Sequence, residues 1–139
     1  MKLESYAPVV ARVLLSLLFL FSALNKIFDW SSNAQYMAYK GMPMVPLFLL
    51  AAIIIELGGS LSLVLGYRAR YGAGALIIFT VVASVIFHNF WAIEDPQQHL
   101  FQLTFFMKNI SIIGGLLLVV SFGSGPVSLD ARTKTPSVA

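Results

Sequence analysis

The chain has 139 residues, of which 58% are hydrophobic and only 11% are charged. A water-soluble domain carries about 25% charged residues, and the mean hydropathy of +0.84 excludes one here. The net charge of +3 leaves no nucleic-acid footprint, and the absence of cysteine excludes thiol exchange by the chain itself, iron–sulfur ligation and thiolate metal sites. The composition describes a single all-α domain embedded in a membrane.

Four apolar spans follow one another, at about 8–28, 46–65, 71–91 and 100–122. At ~1.5 Å of rise per residue each is long enough to cross a ~30 Å hydrocarbon core. The first resembles a signal peptide at its start, where Lys2 precedes an apolar run. Arg12 interrupts it and three similar spans follow, so it reads as a retained helix. In it Arg12, Ser16, Phe19, Ala23 and Lys26 share one helical face. Next comes a loop in which Ser31 or Ser32 caps a short helix to about Lys40. Its Trp30, Tyr36 and Tyr39 suit the membrane interface. Gly41-Met42-Pro43 breaks this helix and Pro46 opens the second span.

The second span carries Glu56-Leu57-Gly58-Gly59 near its middle, with Glu56, Gly59, Ser60 and Leu63 on one face. Gly66 ends it and Arg68 and Arg70 form a basic turn. The third span has a polar stripe of Thr80, Ser84, His88 and Trp91. In the fourth, Lys108, Ser111 and Gly115 share a face, with Asn109 and Gly114 beside them, and Gly123, Gly125 and Pro126 stop the helix. The expected architecture is a four-helix membrane bundle over residues 1–130 with a short interfacial helix between the first two spans. Residues 131–139 read as a disordered cytoplasmic tail.

Orientation follows from the cations outside the spans. The two termini and the turn at 66–70 share one side and carry Lys2, Arg68, Arg70, Arg132 and Lys134; the other side carries only Lys40. The positive-inside rule then places both termini in the cytoplasm.

The spans also hold charges. A charged residue at the bilayer centre costs ~2.5–3.5 kcal/mol or more, so such groups normally face the bundle interior and have partners. Glu56 lies near the midplane, with His88, Lys26 and Lys108 in the outer half and Arg12 in the inner half. Each has two readings. Arg12 and Lys26 either bind a ligand or extend to the headgroups. Glu56 either carries protons or is an ion-pair partner for Lys108 or Arg12. His88 is either a proton carrier or an interfacial hydrogen-bonded residue. The cations within and at the ends of the spans outnumber the mid-span carboxylate, and Asp29 can serve Lys26. If they face inward, a cation is left for an anionic or carbonyl-bearing ligand such as a lipid headgroup or a quinone. His88 and His99, the only histidines, flank an acidic proline-containing loop and make a poor haem or metal site.

In this order and spacing these features resemble the DoxX family of small bacterial membrane proteins, from about Ala7 to Asp130. The resemblance rests on Arg12 and Lys26, Gly41-Met42-Pro43, Glu56-Leu57-Gly58-Gly59 and the Gly66-x-Arg68 turn. It continues through His88, Phe106-Met107-Lys108-Asn109, Gly114-Gly115 and Gly125-Pro126-Val127-Ser128-Leu129-Asp130. It implies a multi-pass inner-membrane protein linked to quinone-dependent or stress-related membrane oxidoreductases, with any thiol chemistry left to a partner. The expectation drawn from residues and resemblance together is a redox-linked subunit binding a quinone or similar lipid-soluble ligand. Glu56 and His88 would relay protons, and Arg12, Lys26, Lys108, Asn109 and Trp91 would hold the ligand, with no metal. Membrane lipids and either a redox partner subunit or a second copy are the expected partners. The alternative is a non-enzymatic membrane scaffold or assembly factor whose buried charges fix helix register.

Overall fold

The computed structural model describes residues 3–133, and among these there is no strand. The elements are α1 (Leu3–Phe28), α2 (Trp30–Tyr39), α3 (Val45–Leu65), α4 (Ala69–Phe87), α5 (Pro96–Phe122) and α6 (Leu129–Thr133), with one 3₁₀ turn at Phe90–Ala92. The spans α1, α3, α4 with its 3₁₀ extension, and α5 are each long and apolar enough to cross a membrane. Large apolar residues such as Leu14, Phe21, Ile54, Ile78 and Leu118 are exposed around the bundle, as they are when the solvent is lipid.

Several boundaries differ from the sequence expectation. The fourth span begins at Pro96, because Pro96 sits in the first turn and the Asp95 side chain accepts the Gln98 amide at 2.8 Å. The third ends at Phe87. Its His88 cap has φ −120° and the chain re-forms only as a 3₁₀ turn, so Trp91 leaves the polar stripe. The short interfacial helix starts at Trp30 on the backbone of Asp29, with no serine side-chain cap. Residues 131–133 belong to α6 rather than to a disordered tail, and the rest of that expected tail, 134–139, lies outside the described residues.

Packing runs in sequence, α1 on α3, α3 on α4 and α4 on α5, while α1 and α5 touch only sparsely. The expected faces of α1 and α3 are the buried ones: Arg12, Ser16, Phe19 and Ala23 on α1, and Glu56, Gly59, Ser60 and Leu63 on α3. On α5 the buried residues are instead Asn109, Leu116 and Val119, and Lys108 and Ser111 are exposed. Lipid tails are as apolar as leucine, so close packing and polar ties hold membrane helices together. Gly59 supplies the close packing. A Cβ there would stand 2.6 Å from Leu76 Cγ, so α3 and α4 approach closely in the halves next to the turn that joins them.

The end of the bundle where α1 begins and α5 ends is tied by Arg12, which is 2% exposed. Its Nε donates to the Pro8 carbonyl at 3.3 Å, Nη1 to Leu63 at 3.1 Å and Nη2 to Val127 at 2.8 Å. Arg12 therefore satisfies backbone oxygens at the end of α3 and in the loop after α5. Gly66 passes beside it in the left-handed conformation, φ +63°, where a Cβ would collide with the guanidinium and with Ser128. Asp130 completes the knot by accepting from the amides of Arg68 at 2.7 Å and Ala69 at 3.1 Å, which open α4. Desolvation raises the Asp130 pKa. The two amides, the Ser124 hydroxyl and the Arg12 charge outweigh it and hold the carboxyl below its usual value.

Candidate functional site

From their close contact at Gly59 and Leu76, α3 and α4 leave a space between them in the halves away from their connecting turn. It is a cavity of about 600 Å³, within the range that holds a small organic ligand. Aliphatic and aromatic side chains of α3 and α4 make most of its wall, and Tyr36 and Met37 of α2 line it too. The Tyr36 ring stacks on Phe87 with centroids 5.6 Å apart, tying the interfacial helix to the end of α4. Polar groups enter the lining from three sides: Ser22 and Lys26 from α1, Glu56 from α3, and His88, Lys108 and Asn109 from α4 and α5.

The first polar group is a closed triad. Lys26 Nζ lies 3.0 Å from Glu56 Oε2 and donates to Glu56 Oε1 at 3.2 Å and to Ser22 Oγ at 2.6 Å. Ser22 Oγ in turn donates to Glu56 Oε1 at 2.8 Å. The Glu56 side chain is 3% exposed and that of Lys26 is 18% exposed. Glu56 Oε2 is ion-paired by distance, yet no donor is aligned on it for a hydrogen bond. The partner of Glu56 is thus Lys26. Neither Lys108 nor Arg12, the partners weighed from sequence, makes a salt bridge to it, and Asp29 does not serve Lys26.

The second group is Lys108, near the middle of α5. Among the described residues it has no carboxylate within salt-bridge distance, and its Nζ stands 4.4 Å above the centroid of the Phe105 ring. Beside it Asn109 is buried and donates to Ser84 Oγ at 2.9 Å. The Ser84 and Thr80 hydroxyls donate hydrogen bonds to the α4 carbonyls one turn back, of Thr80 and Leu76. His88 stacks on Phe105, and its Nδ1 is fixed 2.8 Å from Gln102 Oε1.

Of the residues singled out in the sequence, Glu56, His88, Lys26, Lys108 and Asn109 thus line one cavity. Arg12 and Trp91 do not. Arg12 is spent on backbone carbonyls at the end where α1 begins, and Trp91 packs in an aromatic cluster with Phe90 and Phe106. The sequence reading missed Ser22 and Gln102. Ser22 sits four residues before Lys26, the spacing of facing side chains on a helix, and that signal was available.

The DoxX family model matches residues 7–89, more than half of the chain. The chain belongs to the DoxX family. It is 35% identical over 131 residues to inner membrane protein YqjF of Escherichia coli, an alignment covering 93% of each chain. To inner membrane protein YphA of the same organism it is 32% identical over 124 residues, covering 89% of this chain and 88% of YphA. A Surfeit locus protein 4 homolog of Schizosaccharomyces pombe shares 32% identity over 83 residues, 58% of this chain but only 27% of that protein. No solved structure matches. The DoxX match spans the Lys26–Glu56 triad, while Lys108 and Asn109 lie beyond it, in the part that the two bacterial alignments also cover.

Proposed function

We propose that this DoxX protein is a bacterial inner-membrane subunit with cytoplasmic termini that binds a quinone or a similar carbonyl-bearing, lipid-soluble ligand and works beside a redox partner. The names of YqjF and YphA support the membrane, and the excess of cations on one side supports the orientation. One observation carries the ligand. Two of the cations within the spans are satisfied, Arg12 by carbonyls and Lys26 by Glu56. Lys108 lines the cavity with only an aromatic face for company. A cation in a low-dielectric span without an anion calls for an acceptor, and a ring carbonyl reaching into the cavity supplies one. The apolar wall suits the ring, and the Phe105 platform keeps Lys108 in place.

The electrons come from the partner subunit. Proton movement falls to His88, oriented by Gln102, and to the connected Ser22–Lys26–Glu56 chain. The test is native mass spectrometry of the detergent-extracted protein, followed by lipid and quinone extraction. A stoichiometric quinone that is lost in Lys108→Met, with the fold retained, is the expected result. No small molecule but a constant protein partner would replace this reading with a scaffold.

A further inference from the structure

The cavity does not end inside the bundle. Phe48, Ile78 and Val82 line it and are also 43%, 69% and 51% exposed on the outer surface of α3 and α4, so its mouth opens sideways into the lipid. A second depression, a groove of about 370 Å³, runs along the same α3–α4 seam and shares Ile55 and Ala75 with the cavity. It passes Ile54 and Gly58 and reaches Tyr71 and Arg68 at the end of the seam next to the connecting turn. Gly58 is the open floor of this groove: a Cβ placed there meets nothing within 4 Å. A largely apolar chamber with a few polar groups thus adjoins, on the α3–α4 seam, an apolar track that runs towards Tyr71 and Arg68.

Resting on the quinone-type reading of the cavity, we infer that the ligand is a long-tailed one. Its ring sits by Lys108, and its apolar tail leaves between α3 and α4 and lies in the Gly58 groove. The occupant of the groove is thus the tail of the cavity's own ligand, because cavity and groove adjoin at Ile55 and Ala75 on the same seam. A compact, tail-free ligand would leave the sideways mouth and the groove without a use. The tail gains no hydrophobic free energy from leaving lipid, so its contribution is van der Waals contact and restriction of the ligand to one pose.

The experiment uses the full chain in phosphatidylcholine nanodiscs with two probes. One is a benzoquinone carrying a decyl chain that ends in a diazirine; the other is an unlabelled benzoquinone with a single isoprene unit. After photolysis, labelling that excess long-tailed quinone suppresses should map to Ile54, Gly58 and Tyr71. Gly58→Leu puts a side chain into the groove at a position where a Cβ meets nothing within 4 Å. It should reduce that labelling about threefold or more, the scale of one leucine's worth of lost packing, while binding of the short-tailed quinone stays unchanged. Suppressible labelling where α1 meets α5, at Leu15 or Gly115, would overturn the tail path and leave the ring site standing. So would labelling insensitive to Gly58→Leu. Groove labelling that phospholipid suppresses but quinone does not would make the groove a lipid site and overturn the inference. Failure of both probes to bind would overturn the quinone reading itself.

Discussion

Glu56→Gln removes one charge and keeps an oxygen to accept from Ser22 and Lys26, while its amide NH2 takes the place of Oε2 beside the ammonium. At the 3.0 Å separation of Lys26 Nζ and Glu56 Oε2, the direct attraction is about 5.5 kcal/mol at an effective dielectric near 20. Relief of the carboxylate's desolvation offsets several kcal/mol of this. Lys26 is close to the end of α1 and 18% exposed, so it can turn towards the headgroups. The net loss of stability is therefore about 1–3 kcal/mol. Lys26→Met strands a carboxylate that is 3% exposed and has no such exit, and should cost about 3–5 kcal/mol. The double variant replaces the pair with neutral groups and should recover much of the loss, giving a coupling energy of about 2 kcal/mol. Reversible unfolding in detergent, run as a double-mutant cycle, reads these values. A coupling below about 0.5 kcal/mol, the level of additivity, or a costlier Glu56→Gln than Lys26→Met, would refute the pair as the main tie between α1 and α3.

Lys108→Met should separate binding from stability. It removes an unpartnered cation from the span, so the unliganded protein should become more stable, by up to about 2 kcal/mol, while retained quinone disappears from extracts. Gly66→Ala should destabilise by about 2 kcal/mol or more, since alanine is strained at φ +63° and its methyl group meets Arg12; thermal unfolding checks this. Asp130 gives a pH signature. Its folded pKa lies below the unfolded one, so its stabilisation is complete above the unfolded value and is lost as pH falls through the folded one. Asp130→Asn should cost about 1 kcal/mol at neutral pH. Its deficit against wild type should shrink as the medium is acidified, which unfolding midpoints across a pH series will show.

The spans were legible because hydropathy over twenty residues is a strong signal, and the faces of α1 and α3 because polar residues recur there at helical spacing. The end of α4 was not legible: His88 and Asn89 carry no proline or glycine, and the break reflects how α5 packs against Phe90 and Trp91. The inner face of α5 was misread because Lys108 and Asn109 are adjacent and charge was taken as the mark of the interior. The smaller amide is the one that is buried, since it finds Ser84. Glu56 could be flagged from sequence as needing a partner. Choosing Lys26 required knowing that α1 and α3 are neighbours. The role of Arg12 depended on a carbonyl 115 residues away, beyond any local pattern.

That distance bears on how the protein is made. Arg12 enters the membrane with the first helix, and its hydrogen bonds wait on later parts of the chain: Leu63 arrives with the second span and Val127 only after the last. Before the second span is in place the guanidinium has only the carbonyl of Pro8 in its own helix, and before Val127 it has that and Leu63. That end of the bundle therefore closes late in synthesis, and a ribosome stalled before Val127 leaves a nascent chain with a half-satisfied arginine within its first span.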